Sequence, residues 1–277
     1  MSALATVAPW LRCPRCAQDV GVEDRVLRCS AGHSFDIARQ GYVNLLSRPA
    51  GAAADDAAMV AARADVLDSG TYTPISRALV AMATSLALPD GVVVDVGAGT
   101  GHYTAAVLDA LRKRHGVALD LSAHAARRAA RAHPRLASMV ADVWAGLPVR
   151  DGAAALVLDV FAPRNAEEFA RVLAPGGHVV VVTPAPDHLT ELVTALGLPR
   201  VDPHKAERLA QTFTGFVPGP VHSVRRTLTV DAATAALLAR MGPGAHHVTP
   251  ERLEDLAGGT DPVEVTLAVD VAAFRRG

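Results

Sequence analysis

Apolar positions recur along this chain in two periods. The run at 92–96, Val-Val-Val-Asp-Val, gives way to glycines at 97, 99 and 101, and the positions from 103 to 111 repeat with helical spacing. That order predicts a strand, a tight turn and a helix. The alternation continues: 116–120 reads as a second strand, 137–140 as a short third, 153–161 as a buried fourth broken by Asp159, 165–173 as a helix, and 178–183 as a fifth strand. Strand-like segments at 221–230 and 263–271 flank helical stretches near 231–241 and 250–257, which suits a closing hairpin. Upstream, 56–68 reads as a helix capped by Ser69-Gly70, and 74–88 starts with Pro74 and stops at Pro89-Asp90-Gly91. Strands alternating with helices predict an α/β domain around a mostly parallel sheet, with seven strands in all.

The N-terminal segment obeys a different rule. All three cysteines fall between 13 and 29, too few to pair completely, as Cys13-Pro-Arg-Cys16, then twelve residues, then Cys29-Ser-Ala-Gly-His33. With a strand-like hairpin at 20–28 between them, Cys13, Cys16, Cys29 and His33 suit the corners of a tetrahedron around Zn2+. Four protein ligands leave no open position for water, so the expected zinc is structural. Small residues at 50–56 read as a linker between this module and the helix at 56–68.

Charge narrows the possibilities further. A net charge of −1 and a pI near 6.8 argue against indiscriminate nucleic-acid binding. Local patches remain: between 112 and 135 seven Lys and Arg face one acid, and Arg127, Arg131 and Arg135 recur every four residues. Placed on one helix face, they would form a phosphate track. No charge-free apolar run of about 18 residues occurs, so no membrane span is expected. The first residues lack a basic leader, and a cytoplasmic location is expected.

The glycine turn selects among ligands. A dinucleotide site would want a small residue at His102, whereas here the third glycine stands at 101. Asp95-Val-Gly97-Ala-Gly99-Thr-Gly101 resembles the first motif of class I S-adenosylmethionine (SAM) methyltransferases. The fold expected is therefore a class I, Rossmann-like, seven-stranded α/β sheet with a small N-terminal zinc module. The cofactor site expected with it comprises Asp95, Gly97, Gly99 and Gly101, with His102 and Tyr103 opening the helix. Asp120, ending the second strand beside that turn, is placed to accept from ribose hydroxyls. By the same resemblance Asp142 would meet the adenine amino group, and Arg63 and Tyr72 would reach the methionine end. Trp144 and Leu147 either pack on the adenine or belong to the core.

A more specific likeness covers most of the chain. Cys13-Pro-x-Cys16, Cys29-x-x-Gly32-His33-x-Phe35-Asp36-x-Ala38-x-x-Gly41-Tyr42-Val43-Asn44-Leu45-Leu46 and the glycine motif together resemble the RlmA/TlrB family of 23S rRNA guanine-N1 methyltransferases. The likeness extends through Arg63, Leu67, Asp68, Gly70, Tyr72 and Pro74, through Phe161-Ala-Pro-Arg-Asn165, and through Pro175-Gly-Gly177. The likeness is closer to the TlrB branch, which confers resistance to tylosin-type macrolides, notably in Ala141-Asp-Val-Trp144 and Val160-Phe-Ala-Pro-Arg-Asn165. The resemblance implies SAM-dependent methylation of guanine N1 in a 23S rRNA hairpin. It divides the chain into a zinc-binding, RNA-recognising module (1–48), a linker with helices (49–90) and a catalytic domain (91–277). Guanine N1 is hidden in a base pair, so the target must be unpaired or flipped out. Asp159 is the candidate acceptor of the N1 proton. Phe161, at the position where amino-directed methyltransferases hold the target base, either stacks on that base or is a core residue. The zinc module would touch RNA or a second copy of the chain in a homodimer. Two rivals stay open: a SAM enzyme for a small molecule whose zinc module dimerises, and an RNA-binding protein without chemistry.

Overall fold

The structure, a computed structural model, describes residues 2–51, 54–199, 202, 205–242 and 248–277. In chain order the N-terminal segment forms α1 (Ala3–Val7), β1 (Val20–Glu23), β2 (Val26–Cys29), β3 (Ser34–Asp36) and β4 (Val43–Asn44). Two helices come next, α2 (Ala57–Asp68) and α3 (Thr73–Ser85). The alternating part comprises β5 (Val92–Val96), α4 (His102–Ala110), β6 (Gly116–Asp120), α5 (Ala123–Ala129), β7 (Leu136–Val140), β8 (Ala154–Val160), α6 (Ala166–Val172) and β9 (Leu173–Pro184). Then come α7 (Thr190–Leu196), α8 (Lys205–Thr212), β10 (Phe216–Val230), α9 (Ala232–Met241), α10 (Pro250–Ala257) and β11 (Val263–Arg276).

The main sheet runs β10-β11-β9-β8-β5-β6-β7-β4. Pairs from β4 to β9 are parallel, and β11 lies antiparallel to both β9 and β10. Strand order reverses at β5, so the open ends of β5 and its neighbours form the crevice where such sheets take ligands. The sheet has eight strands, not the expected seven. The extra one is β4, two residues of the N-terminal segment laid against β7, with Leu45 donating to the Val140 carbonyl.

Both faces of the sheet are covered, which explains the unbroken apolar strands. Val92, Val94 and Val96 join a buried cluster with Leu4, Val7, Leu11 and Leu27 of the N-terminal segment and with Phe169, Phe213 and Phe274. Val93 turns the other way, to Ile75 and Leu79 of α3, Leu108 of α4 and Leu238 of α9. Backbone bonds from Arg12 to Pro148 and from Arg150 to Trp10 stitch the N-terminal segment to the loop before β8. The predicted border at residue 48 therefore falls after a strand of the main sheet.

The arginine-rich segment departs from expectation. Helix α5 ends at Ala129, so Arg131 and Arg135 are not on it. Arg135 donates to the carbonyls of Leu108, Leu111, Arg112 and Arg114 at the end of α4. Helix ends leave carbonyls without partners, and a guanidinium satisfies several at once. The single basic face is thus absent because Arg135 is occupied as a cap.

Candidate functional site

The hairpin of β1 and β2 delivers Cys29, and Gly32 (φ 90°) bends the chain so that His33 returns to it. His33 donates its backbone N–H to Cys29 Sγ at 3.3 Å. His33 Nδ1 lies 3.4 Å from Cys29 Sγ and 3.7 Å from Cys13 Sγ, and Cys16 Sγ is 3.8 Å from Cys29 Sγ. A tetrahedral zinc with Zn–S near 2.3 Å requires sulfur atoms about 3.8 Å apart. The donor set and its spacing therefore fit structural Zn2+, and all four ligand atoms lie within 4.8 Å of one another. Burial acts to raise the Cys29 thiol, but donors from His33 and Ala31 outweigh it and bring the thiol down to about 6. A thiolate is the form a metal needs.

At the main sheet, Gly97, Gly99 and Gly101 all adopt positive φ (71°, 54° and 78°). A Cβ on Gly97 would stand 2.5 Å from Ala162 Cβ, and one on Gly101 would stand 3.1 Å from Ala129 Cα. These glycines let the loop after β8 and the end of α5 close onto the turn. Gly99 differs: its side is open apart from Arg63, whose Cδ would be 3.6 Å from an added Cβ. Asp120 organises the turn, accepting from Gly99 N–H at 2.7 Å and from Ser122 N–H at 2.8 Å. Burial pushes its carboxyl up and these two donors pull it back. Ser122 Oγ donates to the Asp55 carbonyl at 2.6 Å, and the Asp55 carboxylate pairs with Arg63. The end of the expected linker is thus a strap beside the glycine turn.

The remaining expected cofactor residues divide by position. Asp142 caps a short turn by accepting from Trp144 N–H at 2.9 Å. Trp144 is 64% exposed and so is not core, while Leu147, at 1%, is. Asp95 lies buried beneath the turn, where Thr104 donates to one of its oxygens and burial raises its carboxyl to about 7. His102 points its Nε2 to Ser76 Oγ of α3 at 3.2 Å. Tyr103 is buried, and among the described residues its hydroxyl has no hydrogen-bond partner.

Asp159 stands at the end of β8, fully buried, with Arg164 Nε 3.3 Å away. Neither carboxylate oxygen forms a well-aligned hydrogen bond, nor do Nε and Nη2 of Arg164. Burial pushes Asp159 up to about 8; Arg164 opposes this, Asp95 adds to it, and Ala162 N–H and Lys205 oppose it. Among the described residues Asp95 Oδ1 and the Tyr103 hydroxyl have no hydrogen-bond partner, while Asp159 and Arg164 face each other as an ion pair without a well-aligned hydrogen bond; all belong to β5, β8 and the segments that leave them. Buried polar groups without partners cost about 1–3 kcal/mol each, and a polar ligand relieves that cost.

Phe161 comes directly after β8, 40% exposed and therefore not core, with φ 57°. Its ring stacks on His188, centroids 6.0 Å apart and planes at 23°. His188 Nδ1 accepts from Ala268 N–H at 3.2 Å, which leaves the ring proton on Nε2, 3.4 Å from the Tyr72 hydroxyl. Burial lowers His188 to about 4, so the ring is neutral at physiological pH. Sequence reasoning missed His188, Arg164, Lys205 and Asp55. The usable signal for His188 was its place in the loop after the fifth strand, on the same edge as Phe161.

A family model described as "RlmA, N-terminal", a zinc ribbon, matches residues 11–50, and a methyltransferase-domain model matches residues 93–177. Fold and site thus define a SAM-dependent methyltransferase carrying an N-terminal zinc ribbon. The chain is 50% identical over 274 residues to the 23S rRNA (guanine(748)-N(1))-methyltransferase of Streptomyces fradiae, covering 97% of this chain and 98% of that one. It is 49% identical to a provisionally assigned 23S rRNA (guanine-N1)-methyltransferase of Micromonospora griseorubida, covering 96% and 97% of the two. A similarly assigned protein of Bacillus subtilis is 28% identical, covering 94% of this chain and 95% of that one. The chain belongs to the family of 23S rRNA (guanine-N1)-methyltransferases.

Proposed function

We propose that this protein methylates N1 of a guanine in a 23S rRNA hairpin, with SAM as donor, and that resistance to tylosin-type macrolides results. The observation that carries the reading is the set of buried polar groups at the open ends of β5 and β8, which among the described residues lack well-aligned hydrogen bonds, with an exposed aromatic ring beside it. The nucleotide to test first is the one for which the Streptomyces fradiae relative is named, guanine 748.

The glycine turn, Asp120, Asp142 and the Arg63 strap would hold the donor, with Tyr72 and Tyr103 at its methionine end and Asp95 and His102 supporting from behind. Bound SAM supplies a methyl group already activated on a sulfonium sulfur. Phe161, backed by His188, takes one face of the flipped guanine, a contact worth about 1–3 kcal/mol per base. Asp159 accepts the N1 proton as the N1–methyl bond forms, a role worth typically 10²–10⁴-fold. Arg164 and Lys205 stabilise the carboxylate before that transfer. The 1–48 segment reads the RNA fold while docked on the sheet rather than hanging from a tether, and the 49–90 segment closes over the donor. We assign the protein to the cytoplasm, where its substrate is; among the described residues no helix is long and apolar enough to cross a membrane.

The test is primer extension on 23S rRNA treated with the protein and SAM, because an N1 methyl blocks pairing and stops reverse transcriptase. A single SAM-dependent stop, much slower to appear with Asp159→Asn, is expected. SAM binding without any stop would favour a protein that only caps its RNA, and methylation of small molecules alone would favour the other rival.

A further inference from the structure

The loss of the continuous arginine face on α5 leaves open how the RNA strand is held beside the target base. A cleft of about 530 Å³ between α3 and β10 offers a different path. Its cations are Arg77 of α3 and Arg226 of β10, with His222 beside them, over an apolar floor that includes Ala78 and Val224, and among the described residues no acidic side chain lines it.

Strand geometry explains the segregation of charge. Alternate residues of a strand share a face, so His222, Val224 and Arg226 turn toward α3 while Arg225 turns away. Ser223, which also lines the cleft, donates to Asp270 at 2.5 Å, and Arg225 pairs with Asp187. The acids near β10 are therefore engaged by Ser223 and Arg225 and do not pair with the cleft's arginines. Among the described residues Arg77 has no ion pair, and Arg226 donates only to the neighbouring Arg225 carbonyl at 2.8 Å. Unpaired guanidinium groups around an acid-free concave surface, in a chain whose net charge is −1, suit a polyanion.

The cleft also adjoins the site. Pro74 on its wall lies two residues beyond Tyr72. Arg226 pairs in register with Leu267, next to Ala268, whose N–H bonds His188. From His222 to Arg226 the strand spans about 13 Å, enough for more than one phosphate of an RNA chain.

We propose that this cleft binds the phosphodiester backbone of the RNA that flanks the flipped guanine, with Arg77 and Arg226 as its phosphate ligands. The proposal rests on the rRNA reading above. It is tested with an in vitro transcript of the 23S rRNA hairpin and the full-length protein. Arg77→Gln/Arg226→Gln is compared with Arg112→Gln/Lys113→Gln, a control pair in the loop before β6, a strand separated from β10 by four others in the sheet. Each phosphate contact on a single strand contributes about 0.7 to the slope of log affinity against log salt, so two lost contacts flatten it by about 1.4. The variant-to-wild-type Kd ratio then shrinks about sevenfold between 50 and 200 mM salt. SAM affinity and the nucleotide methylated should be unchanged, because phosphate contacts position without reading sequence. A wild-type slope in the cleft variant, an equal change in the control pair, or a matching loss of SAM affinity each overturns the proposal. An unchanged slope would leave the cleft to some other acidic macromolecule. If the wild-type protein binds the transcript yet leaves it unmethylated, the enzymatic reading fails while the binding comparison still judges the cleft.

Discussion

Phe161 lies against His188 with ring centroids 6.0 Å apart, although reaching that position puts its backbone at φ 57°. A non-glycine residue held there costs of order 1–3 kcal/mol and persists only where its surroundings enforce it. The Phe161 N–H is bonded to the Val182 carbonyl at 3.1 Å, and the next residue, Ala162, sits where a Cβ on Gly97 would be. Glycine at 161 would remove the strain and the ring together. Phe161→Gly should therefore keep a melting temperature near wild type while single-turnover methylation falls by roughly 5- to 150-fold, the equivalent of 1–3 kcal/mol of stacking. A parallel fall in Tm and rate would mean that the ring serves the fold alone.

His188 permits a separate check. Its Nε2 faces the Tyr72 hydroxyl, and its Nδ1 accepts from a β11 amide, so the ring is fixed at both ends. His188→Leu should raise KM for RNA more than it changes SAM affinity, because the supported group is the base platform. His188→Phe should recover part of that loss, as an aromatic ring can still back Phe161. Equal losses in the two variants, read by steady-state kinetics and calorimetry, would argue against stacking as the useful property.

The pH profile is set by Asp159. Burial holds its folded-state value at about 8, above the ordinary aspartate value of 3.8. The native state therefore holds a proton that the unfolded chain releases, and the associated stability is full below about 4 and lost as pH rises through about 8. Activity runs the other way, since a proton acceptor must be ionised. Methylation by the wild type should climb through about pH 8, and Asp159→Asn should be slow and lack that climb. Denaturant melts should show Asp159→Asn gaining stability relative to wild type between about pH 4 and pH 8, with no further gain above that. A wild-type rate that is flat with pH would remove Asp159 from proton transfer.

These residues also show where sequence reasoning reached its limit. The strand at 92–96 was legible because its apolar run needs cover on both faces, and Cys13, Cys16, Cys29 and His33 were legible because spacing alone brings them together. Position 43–44 was not legible as a strand: two residues carry no period, and their pairing with β7 is a long-range event. Spacing also misassigned Arg135, since the carbonyls that capture it belong to a helix more than twenty residues earlier. Asp159 could be flagged as an awkward charge in an apolar strand. Its neighbours Lys205 and Asp95 come from distant segments, so the size and sign of its shift were not readable.

Zinc removal should be felt beyond the ribbon. Leu4, Val7, Leu11 and Leu27 share one buried cluster with Val92, Val94 and Val96 of the central strand. The binding free energy of structural zinc in zinc-finger peptides is about 10–16 kcal/mol and is folding free energy. Cys16→Ser, or chelation, should thus lower the main unfolding transition instead of producing only a small separate one. One zinc per chain is the expected stoichiometry by metal analysis. A calorimetric trace in which the main transition keeps its wild-type Tm would show that the ribbon folds independently of the sheet.

Asp120 offers the cleanest probe of the donor site. Its two oxygens hold Gly99 N–H and Ser122 N–H at 2.7 and 2.8 Å, and Ser122 in turn carries the Asp55 end of the strap that reaches Arg63. Hydrogen bonds to a charged group are worth about 1.5–3 kcal/mol, so Asp120→Ala should weaken SAM binding by roughly 10- to 150-fold. Arg63→Gln should weaken it less, because it releases the strap and leaves the turn in place. Replacing Gly99 with leucine should abolish binding, since φ 54° disfavours any side chain and the open side of the turn would be filled. Titration calorimetry with SAM decides all three. Wild-type affinity in Asp120→Ala and in the Gly99 variant would place the donor somewhere other than this turn.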